Sequence, residues 1–449
     1  MHIIIIGAGD LGYPLAKSLE KKHDVFVVDP DPLRADRFAD LDVEFVIGRG
    51  TNPDVIQNAG ADKCDLLIAA TRYDEVNIVA CSLGSQLGSS RTICFVTKED
   101  FLHAPGGSNY LRQHFGIDQV VWPEAQLAAA IERIIMAPGA VDADKFADGR
   151  IQLLEFRLDG ASSFVNQFVS DLALPSGIVI AAIKHEKSTV IPKGNSMLSE
   201  GDKVVLIGTP QGMEEFRAQG SMIPSDQSSQ LVTIIGGGDV GFRLAQQLDS
   251  ISNIKLCVIE NDSVRCEMLA GSLAKALVLN GDGTDLELLE AEDIGHSDVL
   301  VSVMDNDESN LLASLLGRQL GVRRLITRVS KPSNHRLFEL VGIDVALSAH
   351  GAAVTSVVHQ IDGGHASLLA VLEVDEGQVR VVELTVPNDF ITTSIKTLKL
   401  PEESMIATLL HEDTVIVPHG DDCIQSGDHV LVCCTEAALG KVRDLFAQG

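Results

Sequence analysis

The residues with most chemical potential stand near the start. Gly7, Gly9 and Gly12 have G-x-G-x-x-G spacing and follow four isoleucines, Ile3 to Ile6. Such glycines suit a phosphate: Gly7 permits a tight turn, Gly9 lets backbone N–H groups approach a pyrophosphate, and Gly12 lets a helix lie close to a strand. The elements needed to position them are present in order. The isoleucine run reads as a buried strand, and Leu11, Leu15 and Leu19 recur at helical spacing. Val25 to Val28 forms a second apolar run that closes on Asp29, whose carboxylate can accept from ribose hydroxyls. A helix N-terminus pointing at the turn adds favourable potential for an anion.

The pattern then repeats. The run Leu231–Ile235 is followed by Gly236-Gly237-Gly238-Asp239-Val240-Gly241, and the strand Leu256–Ile259 ends in Glu260. Gly281-Asp282-Gly283-Thr284 matches Gly48-Arg49-Gly50-Thr51 at an offset of 233, as Asp307 and Asn310 match Asp74 and Asn77. A shorter segment recurs at an offset of 226: Leu174-Pro175 with Leu400-Pro401, and Gly201-Asp202-Lys203-Val204 with Gly427-Asp428-His429-Val430. Around these marks, strands and helices alternate for about a hundred residues and then give way to short strands and turns. The predicted fold is α/β, a tandem duplication of a Rossmann-like doubly wound parallel-sheet domain followed by a small α+β domain. The expected boundaries are 1–122 with a crossover helix 123–136, then 141–222, 230–346 with a crossover helix 349–361, and 366–449. The helix Pro123–Met136 carries Leu127, Ile131, Ile134 and Ile135 on one side, and Gln219–Gln230 reads as a linker.

Composition narrows the classes. The chain has 449 residues, 45% hydrophobic and 22% charged, with a net charge of -28. That charge disfavours nucleic acid and anionic lipid as partners. The eight cysteines lack metal-ligand spacing and sit among apolar residues, so buried free thiols are expected and no metal site is predicted. No secretory signal is expected, because Gly7 already belongs to a motif, and no apolar stretch is long enough to span a bilayer. A soluble, cytoplasmic protein follows as the expectation.

Catalytic machinery is missing from this reading. There is no G-x-S-x-G elbow, no H-E-x-x-H and no phosphate loop ending in Gly-Lys-Ser/Thr. His185, His411 and His419 read as surface histidines; the counterpart of Lys184-His185 in the second copy is the segment Thr408–His411, where the basic pair is not reproduced. The expectation is a binding module and no enzyme. Thr71-Arg72 and Met304-Asp305 follow the fourth strand of each half, and Arg328 ends the next strand of the second half; all are placed to line a nucleotide. Asp305, Asp307 and Glu308 crowd one loop and read as a solvated acidic segment. Asp29 and Glu260 disfavour the 2′-phosphate of NADP(H) but do not separate NAD(H) from ATP or ADP.

Gly7-Ala8-Gly9-Asp10-Leu11-Gly12, Asp29, Gly50-Thr51 and Asp74-Glu75-x-Asn77 resemble the RCK, or KTN, nucleotide-binding domain, and Leu174-Pro175 and Gly201-Asp202-Lys203-Val204 resemble its C-terminal companion. Two such pairs in one chain resemble the cytosolic regulatory subunits of Trk potassium-uptake systems. The resemblance implies a homo-oligomeric ring, a tetramer, on the cytoplasmic face of a TrkH- or TrkG-type membrane subunit, with nucleotides gating potassium entry. It implies nucleotide contacts at Gly7–Leu11, Asp29 and Thr71-Arg72, and at Gly236–Val240, Glu260, Met304-Asp305 and Arg328. Phe95 stands where the second half has Arg328, so the halves differ at that contact. Two alternatives stay open: an NAD-dependent oxidoreductase of unusual repeated architecture, and a nucleotide sensor of another channel or antiporter.

Overall fold

The computed structural model describes residues 1–98, 101, 108–136, 140–146, 150–158, 162–185, 188–218, 229–361, 368–372, 379–387, 389–411 and 414–447. The chain forms two compact units, Met1–Ala130 with Gln230–Val358, and Ile131–Ser229 with His359–Gly449.

The first unit holds two parallel sheets. In one, β1 (His2–Ile6), β2 (Asp24–Asp29), β3 (Val43–Ile47), β4 (Leu66–Ala69), β5 (Thr92–Phe95) and β6 (Gln119–Val121) lie in the order β3-β2-β1-β4-β5-β6. Every pairing is parallel. Covered on both faces, β1 is apolar beyond its first residue, and Ile3, Ile4 and Ile5 are fully buried. The strand order reverses between β1 and β4, which opens a crevice at their carboxyl ends where the Gly7 turn emerges. The helices α1 (Gly12–Leu19), α2 (Pro53–Asn58) and α3 (Asp74–Leu87) connect these strands. Between β2 and β3 the chain forms a 3₁₀ segment, Pro32–Phe38, where only Phe38 is buried and no apolar stripe holds a full α-helix.

The second sheet repeats the first. Its strands lie in the order Leu277–Asn280, Ile254–Glu260, Gln230–Ile235, Val299–Ser302, Arg324–Arg328, Val345–Leu347, again all parallel. The helices Pro123–Met136 and Ala349–Ile361 follow the two sheets. Leu127, Ile131, Ile134 and Ile135 are buried as their spacing requires.

The second unit contains two five-stranded antiparallel sheets. Leu153, Ala182, Val205 and Ile207 of one sheet share a core with Val381, Ala407, Leu431 and Cys433 of the other. Cys434 lies in a different core, with Val382 and Phe446. The pleat sends these adjacent cysteines to opposite faces of one strand. Seven cysteines are buried, but Cys423 is exposed, contrary to expectation, because it belongs to a two-residue strand paired only with Thr393–Ser394. Residues 219–228 of the expected linker lie outside the described residues, and Gln230 already opens a strand.

Candidate functional site

Each glycine turn is built from two kinds of glycine. Gly7 has φ +107° and Gly236 φ +102°, a left-handed backbone that disfavours side chains. A Cβ on Gly12 would lie 1.8 Å from Gly7 O, and one on Gly241 equally close to Gly236 O. These four glycines are therefore demanded by the fold. The middle glycines are different. A Cβ on Gly9 would meet only Arg34 Nη1, at an ordinary 3.5 Å, and one on Gly238 would meet nothing within 4 Å. Among the described residues, packing leaves the space above both open.

The helices behind these turns are uncapped by side chains. Leu11 is the N-cap of α1, and Gly238 that of the helix Asp239–Asp249; neither supplies a capping hydrogen bond from a side chain. The N–H groups of a helix's first turn lack intrahelical partners, so both ends are suited to an anion. Ala8, Leu11 and Val240 are themselves buried, which confines them to backbone contacts with any ligand. Asp10 is exposed and Asp239 half-buried at the rims.

Asp29 and Glu260 occupy matching places. Asp29 Oδ2 accepts from Ala8 N at 2.8 Å and Oδ1 from Asp31 N at 2.9 Å. Glu260 Oε2 accepts from Gly237 N at 2.6 Å and Oε1 from Asp262 N at 2.8 Å. Both acids thus brace the glycine turn against the end of the second strand. The braces have companions that the motif reading passed over. Arg34 Nη1 stands 3.3 Å from Asp29 Oδ2. Arg265 donates to Gly237 O at 2.9 Å and pairs with Asp239 at 3.2 Å. The two arginines are 231 residues apart, the same offset as Asp29 and Glu260, and that coincidence was the available signal.

A buried asparagine sets the far wall in each half. Asn77 Oδ1 accepts from Thr71 N at 2.9 Å, and its amide donates to Thr71 O and Phe95 O, both at 2.9 Å. Asn310 does the same for Met304 N at 2.8 Å, Met304 O at 2.9 Å and Arg328 O at 3.2 Å. Thr71 and Met304 are thereby held against the first glycine of each turn, 3.0 Å from where a Cβ on Gly7 or Gly236 would stand. The shared clamp also fixes Phe95 and Arg328 as equivalents. Phe95 is buried, whereas Arg328 pairs with the exposed Asp305 at 3.1 Å. Arg72 is exposed and turned onto Tyr73, with its guanidinium 4.7 Å from the ring centre.

Asp74 and Asp307 are also structural. Asp307 accepts from Ser330 N at 2.7 Å, Asn334 Nδ2 at 2.9 Å and Lys331 N at 3.2 Å. Burial opposes its charge, but these donors outweigh burial and hold the carboxyl below its usual range. Asp307 faces inward while Asp305 engages Arg328, so the acidic loop does not converge. No group of three metal-ligating side chains occurs among the described residues.

In the second unit the repeated polar feature is a histidine–aspartate pair. His185 Nδ1 lies 2.5 Å from Asp202 Oδ1, and His411 Nδ1 lies 2.5 Å from Asp428 Oδ1. Both histidines are about half exposed, with side-chain exposures of 54% and 48%. The repeated unit is therefore His–Asp, which the Lys184-His185 comparison did not capture.

Two doubly wound sheets, each with a glycine turn at its switch point, and a pair of small antiparallel domains define a tandem RCK architecture. The TrkA-N domain model matches residues 3–123 and 232–349, and the TrkA-C domain model matches 153–219 and 380–447. The chain belongs to the family of Trk system potassium uptake proteins TrkA. It is 34% identical to Trk system potassium uptake protein TrkA homolog 2 of Methanosarcina mazei over 99% of this chain and 100% of the relative. It is 32% identical to the TrkA homolog of Archaeoglobus fulgidus, again over 99% and 100%. Among solved structures, the RCK domain of GsuK superposes with a TM-score of 0.59 at 18% identity, covering 100% of this chain and 95% of that one. A GsuK channel bound to NAD gives 0.60 at 19%, covering 100% and 79%. At that identity the likeness concerns the fold.

Proposed function

We propose that this chain is a nucleotide-sensing regulatory subunit of a Trk-type potassium-uptake system, with no catalytic activity of its own. The observation that carries the reading is the open space over Gly9 and Gly238, where the protein's own packing gives no reason for a glycine. A pyrophosphate there would be met by the free N–H groups of the two helix starts. Asp29 and Glu260 would face ribose hydroxyls, so NAD(H), ATP and ADP fit and a 2′-phosphate does not. Thr71 and Arg72, and Met304, Asp305 and Arg328, would border the ligand at the strand ends. The relatives' names, and the fold shared with a channel solved with NAD, support this assignment.

In this reading the chain assembles as a homotetrameric ring and docks on the cytoplasmic face of a TrkH- or TrkG-type membrane subunit. Among the described residues no helix is long and apolar enough to cross a membrane, consistent with attachment through a partner. Gating requires that a ligand bind two ring conformations unequally. Calorimetry with NADH, NAD, ATP and ADP on the full chain and on Gly9→Val and Gly238→Val tests the sites. Each substitution is expected to remove one set of binding sites. Binding as tight as wild type in both variants overturns the assignment.

A further inference from the structure

Loop charges distinguish the two crevices. At the offset of 233, Arg49 is matched by Asp282, Arg72 by Asp305 and Phe95 by Arg328. The charges around the turns themselves keep their sign: Asp10 matches Asp239, Asp29 matches Glu260 and Arg34 matches Arg265. The contrast therefore lies in the loops at the strand ends.

Those loops border the crevices. Gly48 N donates to Asp29 O at 3.0 Å, and Gly281 N to Glu260 O at 2.9 Å, so the turn after the third strand is tied to the end of the second. A Cβ on Gly50 would stand 2.1 Å from Ile6 Cγ2, and one on Gly283 2.0 Å from Ile235 Cγ2, so the same turn presses on the first strand. Arg49 and Asp282 lie between these contacts, beside the acids that close the second strands, and both are exposed. Thr284 holds Asp282 in the turn, donating to its Oδ1 from N at 2.9 Å and from Oγ1 at 2.7 Å. Arg72 and Asp305, both exposed, directly follow Thr71 and Met304, which stand against the first glycines. Asp305 pairs with Arg328, and the buried Phe95 brings no charge to the first crevice. At these positions the first crevice has two positive charges where the second has two negative and one positive.

We propose that these loops sort the ligands. The first repeat takes the more highly charged nucleoside polyphosphate, ATP or ADP, and the second takes the less charged dinucleotide NAD(H). This rests on the glycine turns being nucleotide sites. A rim difference of three charges acts across roughly 10 Å of screened water on ligands that themselves differ by about three charges, which changes the preference for ATP over NAD by about tenfold. Salt screens a rim of exposed side chains, so the preference weakens as ionic strength rises.

The test is calorimetry with ATP and with NAD, in EDTA, on two full-length chains: Gly238→Val, which leaves the first turn, and Gly9→Val, which leaves the second. At about 0.1 M salt the ATP-to-NAD affinity ratio is expected to be about tenfold higher at the first turn, and the two ratios should converge toward about 0.5 M. Arg49→Asp with Arg72→Asp, added to the Gly238→Val chain, should lower the ratio about tenfold or more. Asp282→Asn with Asp305→Asn, added to the Gly9→Val chain, should raise it about fivefold. All four side chains are exposed, so thermal melts of these chains should match their parents. Equal ratios at the two turns, or a ratio that neither salt nor the loop substitutions move, overturns the assignment while leaving the turns as nucleotide sites. A wild-type chain that binds neither nucleotide overturns both.

Discussion

A Cβ on Gly12 would stand 1.8 Å from the carbonyl oxygen of Gly7, while one on Gly9, between them, would meet only the end of a flexible arginine at 3.5 Å. The three glycines of one motif therefore answer to different demands. Gly12→Ala forces α1 away from β1 and is expected to cost about 1–3 kcal/mol or more of stability. Gly9→Val is expected to melt near wild type and to lose nucleotide binding at the first turn. Thermal melts alongside calorimetry separate the two; a Gly9→Val chain that unfolds early contradicts the open space described above.

Asn77 and Asn310 make the second prediction. Each is fully buried and joins two neighbouring strand ends through one amide. Replacing Asn77 with Ala leaves the N–H and carbonyl of Thr71 and the carbonyl of Phe95 without that partner. A loss of about 1–3 kcal/mol for each such buried group left unsatisfied is the expected order. Urea unfolding should show a loss in both variants, at least as large for Asn77→Ala as for Asn310→Ala, since Asn77 Oδ1 also accepts from the Thr71 hydroxyl at 2.7 Å, a bond that Met304 cannot offer Asn310. A loss within 0.5 kcal/mol of zero, roughly the range of a surface change, contradicts the clamp.

These clamps show which features were legible in the chain and which were not. Gly7, Gly12, Gly236 and Gly241 were legible because their constraint is local: a turn and a close approach within a few residues. The two parallel sheets followed from alternation and repetition. Asp74 and Asn77 were visible as a repeated pair, but their partners at Thr97 and Phe95 lie about 20 residues away, and nothing local marks them. Arg34 and Arg265 needed the offset of Asp29 and Glu260 to be carried five residues further. The packing of Trp122 under the Arg243 guanidinium of the other repeat, 4.4 Å from the ring centre, is tertiary, so periodicity and spacing are silent about it. The exposure of Cys423 was missed because composition averages over a two-residue edge strand.

That cysteine gives a direct measurement. Cys423 is exposed, while the other seven are buried. Burial pushes the Cys257 thiol up to about 11, with Glu292 adding to it, and pushes Cys433 far higher. The thiolate is the reactive form, so both access and charge protect the buried set. Ellman's reagent at pH 8 is expected to label one thiol per chain rapidly and all eight after unfolding. Cys423→Ser should abolish the fast phase, and a fast phase that survives contradicts the burial pattern.

Asp307 supplies the pH prediction. Its folded carboxyl is held below the ordinary value of 3.8, because donors from Ser330, Asn334 and Lys331 outweigh the burial that opposes its charge. A depressed acid contributes stability that is fully present above the unfolded value and is lost as pH falls through the folded one. The contribution is therefore complete at pH 7 and fades only below about pH 4. Asp307→Asn removes the charge but keeps the shape, and its amide must point a donor at one of two backbone N–H groups. At pH 7 the variant is expected to be less stable by about 1–3 kcal/mol. Because protonation does to wild type what the substitution does to the variant, the gap should narrow as pH falls below 4. Urea midpoints at pH 7, 5 and 3 measure it; a gap that stays constant to pH 3 shows that the charge on Asp307 is not what stabilises the loop.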